Sequence, residues 1–506
     1  LTAPDAEPGA PAAPPAGPER RRPPRVPPDE TTGAFRVMFR TAAFSAYALM
    51  AFKAFVCDVS NVTTRSMEPT IVGRENGGDG VLLDRTAYLF DEPRRFDVPF
   101  FRYWNNREIL YIKRIVGMPG EQLAIMDGDL WLVDADWTGP VEEAAATGRA
   151  KPVRRPPHLE RLAFERRPVI LPGEEGRFGR LAFDRLFETK PEERECFSEA
   201  PDRGTRVKPP AGAEVLARFR RPITDYLPDA ADLRAGSMAP GAGTGGDFPV
   251  SDVAVQFDVS ASPGAEVLLA LDDPRSGVRH LARFRFLPRG GEGGRSEIRI
   301  EGDSDRIIAQ NACDGLVCWR DVRLRFQLVD GFLRAFVDDV EAANVDVPYR
   351  PAVPGAKGGV YFGARGGAVV FDRPRIERDL HYVADGQTRF LVPPDSYLCL
   401  GDHPADSSDG RHWRVTMIED LRTGEVLEGD ADGMRHRSSR NDGRNPRRRD
   451  DGKDEFTDKD ENVRVFRSES EWRRLGTYHT PFLPRSLIVG RATWVVWPPA
   501  RAGAVR

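Results

Sequence analysis

Apolar residues recur at every second position along much of this chain, the spacing of half-buried strands. Val253, Val255, Phe257 and Val259 alternate with polar residues, and Val322, Leu324, Phe326 and Leu328 do the same. Asp330-Gly331 then forms a two-residue hairpin turn into a further strand at 332–337. With Gly-rich turns returning between these runs, residues 246–380 read as a β-sandwich or jelly roll. Shorter apolar runs at 81–83, 109–116, 122–126 and 130–133 predict strands upstream, with Asp127-Gly128 turning the last two into a hairpin. Strand-like patterning returns at 390–413, and the chain closes on apolar runs at 486–489 and 492–497, cut off by Pro498-Pro499. The predicted fold class is therefore mainly β, with residues 246–380 as a separate all-β unit. Residues 137–245 are Pro-, Arg- and Glu-rich without clear periodicity, an insertion of unclear structure, and 424–469 predicts a flexible charged loop.

The N-terminal stretch does not follow the period of two. Residues 1–33 are Pro- and Ala-rich with Arg20, Arg21, Arg22 and Arg25, a composition that cannot bury a core and predicts a disordered tail. Residues 34–59 then predict one transmembrane helix. Its uninterrupted apolar part, 41–52, spans only ~18 Å as helix against a hydrocarbon core of ~30 Å, so Arg40 and Lys53 must snorkel. An amphipathic or buried helix is the alternative. Basic residues upstream and Asp58 downstream put the N-terminus in the cytoplasm and everything after residue 60 outside, on a single-pass protein of the cell membrane.

Composition narrows the function classes. The 506 residues suffice for two or three domains. A formal net charge of -4, with acidic and basic residues interleaved even in the most charged run, gives nucleic acid no basic face to bind. Cys57, Cys196, Cys313, Cys318 and Cys399 show no zinc-ligand spacing; Cys313 and Cys318 form either a disulfide, if exported, or two free thiols.

Two residues carry candidate chemistry. Ser66 lies in T-T-R-S-M-E-P-T just beyond the apolar stretch, and a serine hydroxyl needs an adjacent base to act as a nucleophile. Lys113 lies in R-E-I-L-Y-I-K-R-I-V-G-M-P-G-E, an apolar run read as a strand covered on both faces. Either the stem packs there while the amine reaches solvent, or burial disfavours the ammonium and lowers the lysine pKa, as a general base requires.

Together these segments resemble the type I signal peptidases, also called leader peptidases. S66-M-E-P-T, K113-R-I-V-G-M-P-G-E and G401-D-H-P-A-D-S-S-D-G-R follow the family's order, and the terminal I-V-G-R-A-T-W is similar to its closing strand. The resemblance implies an antiparallel β catalytic core at 60–136 and 381–506, split by the insertion, with the Ser66 hydroxyl as nucleophile and Lys113 as general base. It implies that Thr64 stabilises the oxyanion with the Ser66 N–H, and that Ser407 orients the lysine amine. Asp409 and Arg411, with Gly401 and Asp402, would support the site; Met67 would line the substrate cleft and Pro69 fix the chain behind the nucleophile. No cofactor or metal is implied. The expected substrates are signal peptides of exported preproteins, cleaved at the surface of membrane lipid. Departures from the family's loop are His403, Pro404, Ala405, Asp406 and Gly410, which put turnover or specificity in doubt more than fold. Asp402, His403, Asp406, Asp409 and His412 also make an oxygen- and nitrogen-rich cluster, but at neither EF-hand nor zinc spacing.

Residues 246–380 resemble concanavalin-like (laminin G-type) sandwiches in V-R-L-R-F-Q-L-V-D-G-F-L-R-A-F-V and G-G-V-Y-F-G-A-R-G-G-A-V-V-F-D. That resemblance makes a glycan or a protein the expected partner of the insertion. The competing function is a catalytically impaired envelope binding or scaffold protein that works through the sandwich.

Overall fold

A computed structural model describes residues 30–74, 77–103, 106–156, 178, 180–200, 204–225, 248–288, 296–302, 306–350, 353, 358–384, 386–431, 445–460 and 462–505. Two compact units divide the chain, residues 1–56 and 57–506. The predicted tail, 1–33, lies outside the described residues up to position 29. In the first unit Glu30–Phe55 is a continuous α-helix that leaves Phe35, Phe39, Phe44, Leu49, Phe52 and Phe55 exposed. Among the described residues no helix is long and apolar enough to cross a membrane, which corrects the predicted transmembrane helix. Arg40 and Lys53 bound an apolar stretch of about three turns, too short for the hydrocarbon core. Residues 57–59 are not helical either: Cys57–Asn61 is a strand paired with Gly80–Asp84.

The second unit is mainly β. Its core-forming sheets join segments far apart in sequence. The terminal strand Ile488–Trp497 lies between Gly80–Asp84 and Pro99–Tyr103, and Asn106–Ile112 pairs with the latter. Val62, Met67, Ile71, Val81, Leu83, Phe100, Ile112 and Val495 form the apolar core on this sheet. The run predicted as one strand at 109–116 is two. Asn106–Ile112 belongs to that sheet, whereas Arg114–Gly117 pairs with Ser396–Leu400 in another. Lys113 is the corner residue between them, belonging to neither strand.

The insertion leaves and returns on a single four-stranded sheet, ordered Arg389–Leu391, Gln122–Met126, Asp129–Val133, Ala150–Pro152. Asp127-Gly128, with positive φ at both residues, closes the predicted two-residue hairpin. Two seven-stranded antiparallel sheets then build the sandwich. Its centre is aromatic: Phe362 of one sheet lies 4.7 Å from both Phe257 and Phe371 of the other, ring centre to ring centre. These fully buried rings each remove a large apolar area from water, and edge-to-face contacts add to that gain.

The sandwich begins earlier than residue 246. Phe187–Glu188 and Glu214–Phe219 extend one sheet, and Phe197–Glu199 with Thr205–Val207 extend the other. Val215, Ala217 and Phe219 are buried in alternation, but the other segments are too short to show a period. The expected loop at 424–469 is also largely strand where described: Glu425–Asp430 and Trp472–His479 flank Arg414–Asp420, and Arg447–Arg448, Asp454–Thr457 and Val463–Phe466 form a small sheet. Ile418, Leu427, Phe456 and Phe466 supply its core, and pairs such as Arg447–Glu455 and Arg448–Asp454 hide that pattern behind charge. All five cysteines carry free thiols.

Where the sandwich meets the four-stranded sheet, carboxylate oxygens of Asp129, Asp252 and Asp330 come within 4.8 Å of one another. Burial, followed by the neighbouring Asp379 and Asp273, pushes Asp252 up to about 7 against the N–H of Asp330 and Arg275, which favour the anion. A carboxyl whose folded pKa is raised holds its proton better folded than unfolded, so its contribution to stability falls as pH rises between about 4 and 7. Asp252→Asn should therefore gain in melting temperature relative to the unsubstituted chain on going from pH 5 to pH 8. Calorimetry at the two pH values checks this, and a pH-independent difference would refute it.

Candidate active site

Ser66 sits in a one-turn 3₁₀ segment, Arg65–Met67, entered from Thr64 in extended conformation. Met67 beneath it is fully buried in the apolar core and so anchors the turn; it does not line a cleft as the resemblance implied. The Arg65–Glu68 ion pair at 3.1 Å closes the outer side of the turn. Behind it, the Pro69 carbonyl accepts a hydrogen bond from Arg501 at 3.4 Å.

The sheet corner delivers Lys113 to this turn. Its Nζ lies 2.8 Å from Ser66 Oγ, and an amine N–H donates to the Ile112 carbonyl at 3.2 Å. Both side chains are shielded, with 4% and 5% of the lysine and serine surfaces exposed. Burial pushes the Lys113 amine down to about 8, outweighing Asp409, Cys399 and Asp402, which favour the ammonium; Arg411 adds to the depression. The Thr64 hydroxyl lies 3.5 Å from Ser66 Oγ, on the nucleophile's flank.

Neither nearby carboxylate pairs with the lysine, because each is taken by an arginine. Arg114 grips Asp402 with two hydrogen bonds, 2.8 and 2.7 Å, and Thr70 donates a third at 2.5 Å. Arg411 grips Asp409 with two bonds of 2.9 Å, and the Gly401 N–H donates to the same carboxylate at 2.9 Å. Burial alone would raise the Asp409 pKa, but Arg411, His412 and that backbone N–H together hold it far below the usual carboxylate range. These pairings also occupy two members of the cluster considered for a metal. Fork-to-fork arginine contacts of this kind fix orientation as well as charge.

The 401–411 loop is tied directly to the nucleophile's turn, since the His403 N–H donates to the Ser66 carbonyl at 3.1 Å. Gly401 is the point of closest approach. A Cβ there would lie 2.1 Å from Ser407 Oγ and 2.5 Å from the Ser66 carbonyl oxygen. Ser407 is buried, but its hydroxyl has no hydrogen-bond partner among the described residues. The expected Ser407–Lys113 hydrogen bond is therefore absent; the amine is held by Ser66 and the Ile112 carbonyl, and Ser407 packs over Gly401. The departures Pro404 and Asp406 form a short 3₁₀ turn with residue 405, and the Pro404 carbonyl accepts from Arg411 at 2.9 Å.

Ser66, Lys113, Thr64, Gly401, Asp402, Ser407, Asp409 and Arg411 thus converge from three sequence-distant segments. Sequence reasoning missed Arg114 and Thr70, which hold Asp402. The arginine directly after Lys113 and the aspartate directly after Gly401 were the available signal. It also missed Val383, whose carbonyl accepts from Arg411 at 3.2 Å; a backbone acceptor leaves no trace in sequence.

Residues 35–166 match the family described as signal peptidase, peptidase S26. Signal peptidase I of Buchnera aphidicola subsp. Baizongia pistaciae is 29% identical over 96 residues, covering 16% of this chain and 30% of that protein. Signal peptidase I of Pseudomonas aeruginosa is 31% identical over 87 residues, covering 15% and 29%. The chloroplastic thylakoidal processing peptidase 1 of Arabidopsis thaliana is 25% identical over 142 residues, covering 26% and 36%. The chain thus spans only about a third of the length of the curated relatives it matches. Among solved structures, the carbohydrate binding module CBM66 from Bacillus subtilis aligns with 36% of this chain and 90% of its own at 10% identity and a TM-score of 0.24. Residues 35–166, which hold Ser66 and Lys113, are thus the part of the chain that is similar to the signal peptidases of the peptidase S26 family.

Proposed function

We propose that this chain is a serine endopeptidase that removes signal peptides from exported preproteins with Ser66 and Lys113. The observation that carries this reading is the 2.8 Å separation of Ser66 Oγ and Lys113 Nζ in a water-poor site. Neutral Lys113 accepts the hydroxyl proton as Ser66 Oγ attacks the scissile carbonyl. The oxyanion is met by the Thr64 hydroxyl and the Ser66 N–H. Collapse of the tetrahedral adduct expels the new amine, which takes the proton back from Lys113 and leaves a Ser66 ester. Lys113 then takes a proton from a water whose oxygen attacks the ester carbonyl; the Ser66 Oγ–acyl bond breaks, and the Lys113 ammonium gives that proton to Oγ, which frees the acyl group as a carboxylic acid and restores both the hydroxyl and the neutral amine. No cofactor is needed in this sequence.

The exposed apolar side chains of Glu30–Phe55 favour contact with membrane lipid, and we place the catalytic unit on the extracytoplasmic side, where signal-peptide ends emerge. Confinement to that surface raises effective concentration, so shallow pockets suffice for small side chains around the cut.

A second reading, binding through the insertion, draws on a cleft of about 720 Å³ between the sandwich and the four-stranded sheet. Trp131, Tyr349, Arg154, Arg275 and Asp346 line it, a mixture of aromatic and polar groups able to take a glycan. Titrating the full chain with envelope polysaccharides should then quench Trp131 fluorescence in the unsubstituted protein and not in Trp131→Phe; no difference between the two removes this reading.

Cleavage of a lipid-reconstituted preprotein tests the protease reading. Ser66→Ala and Lys113→Ala should each lose activity by ~10²–10⁴-fold, the usual contribution of such a pair. For the unsubstituted chain kcat/KM should rise with pH through about 8, because only the neutral amine accepts the proton. Full activity in either variant, or a rate independent of pH between 6 and 9, would sink it.

Gly401→Ala forces a side chain against the Ser66 carbonyl, which as backbone has little room to give. Cleavage should fall by ~10²-fold, the cost of displacing a nucleophile by about an ångström. Wild-type turnover in this variant would show that the 401–411 loop does not position Ser66.

A further inference from the structure

The two ends of the insertion are joined before they reach the protease sheets. Arg155 follows the outgoing strand Ala150–Pro152, and Asp379 follows the returning strand Val369–Arg378. Arg155 donates to both oxygens of Asp379, at 2.6 and 2.8 Å, across a sequence separation of 224 residues. Both side chains are shielded, with 13% and 3% of their surfaces exposed.

From this clamp the returning segment runs straight to the active-site loop. The Asp379 N–H donates to the Asp252 carbonyl, and the Tyr382 N–H donates to the Gly128 carbonyl at 2.8 Å, so the segment is pinned at both ends. The next residue, Val383, offers its carbonyl to Arg411, whose guanidinium also lies over the Tyr382 ring at 5.4 Å. Of the acceptors that hold Arg411, Asp409 and Pro404 belong to the loop itself, whereas Val383 belongs to the segment leaving the sandwich. Arg411 in turn holds Asp409, Asp409 holds the Gly401 N–H, and Gly401 packs on Ser66.

We propose that Arg155 and Asp379 are positioning residues for the Ser66–Lys113 centre: their clamp sets the 379–383 segment that orients Arg411, and so couples the inserted sandwich to catalysis. The reading rests on the proposed protease function. For stability alone a buried ion pair has no advantage, since apolar residues of similar volume commonly serve as well or better. What the contact supplies is direction: one Arg155 nitrogen, Nη1, donates to both Asp379 oxygens and so fixes where that carboxylate lies, which an apolar pair would not. A movement of the sandwich's returning strand would reach Arg411 through the Val383 hydrogen bond and the Tyr382 ring.

The test compares Asp379→Asn, Arg155→Lys and the apolar pair Arg155→Met with Asp379→Leu against the unsubstituted full chain and Ser66→Ala. Two readouts are taken on protein whose melting curve shows it folded. In preprotein cleavage, all three clamp variants should lose kcat by ~10-fold or more with KM within about twofold, the split expected of a group that acts only in the transition state. In ¹³C-lysine NMR titration, the Lys113 midpoint should rise from about 8 toward the ordinary ~10.4 as Arg411 loosens and water enters. The apolar pair guards against misfolding, since it should keep the melting temperature and still lose the rate. Folded clamp variants with an unmoved Lys113 midpoint and unchanged kcat overturn the proposal. Cleavage that persists in Ser66→Ala overturns the protease reading instead, and there the Lys113 titration still decides the coupling.

Discussion

The site depends on a lysine amine buried without a carboxylate partner. Lys113 has two acids close enough to favour its charged form, and either one in direct contact would fix the ammonium and remove the base. Both are diverted. Asp402 faces Arg114, and Asp409 faces Arg411, each through two hydrogen bonds. The arginines therefore do more than stabilise a loop. With Thr70 on Asp402 and the Gly401 N–H on Asp409, they orient both carboxylates away from direct pairing, so that burial outweighs them at Lys113 and the serine hydroxyl is left as a partner of the amine. Breaking such a buried pair from one side is costly, about 3–5 kcal/mol, because the remaining charge is stranded. That penalty would fall on the same loop that carries Gly401 against Ser66.

Backbone geometry meets the same need. A lysine in mid-strand would place its amine over one face of one sheet, competing with neighbours on that face. At the corner between Asn106–Ile112 and Arg114–Gly117 it belongs to neither ladder, and the residue after it points to Asp402. One corner thus carries Lys113 to Ser66 and Arg114 to Asp402.

Much of this was legible in the sequence, and the parts that were not have physical reasons. Ser66, Lys113 and the Gly401–Arg411 segment could be picked out because their motifs need particular residue types, and the structure brings all three together. Alternation at Val253–Ala261 and Val322–Val329 announced the sandwich because apolar side chains line the core face of each strand, although the first strand is buried on both faces. The short strands Phe187–Glu188 and Thr205–Val207 escaped, since two or three residues cannot display a period. Met67 was placed at a cleft by the resemblance alone, whereas its side chain lies fully buried in the core. Ser407 was misread because sequence gives the hydroxyl but not the side on which it packs. The apolar helix was misread because its short uninterrupted length, already visible in the sequence, was made up for by letting Arg40 and Lys53 snorkel.

An insertion of this size is tolerable for a topological reason. It leaves from one edge of a four-stranded sheet and returns at the other, so its ends are separated by only three strand spacings, about 14 Å. Closure entropy grows only with the logarithm of the length bridged, which makes a domain-sized insertion little more costly than a long loop. The sandwich also brings its own core around Phe257, Phe362 and Phe371, so it takes no apolar residue away from the protease sheets. Yet its carboxylates do not stay to themselves: Asp252 and Asp330 meet Asp129 of the four-stranded sheet, and Asp379 meets Arg155. A passive passenger would be expected to meet its host through a solvated linker. Here the junction is buried, charged and continuous with the segment that holds Arg411, which is the arrangement of a domain that reports to the site it interrupts.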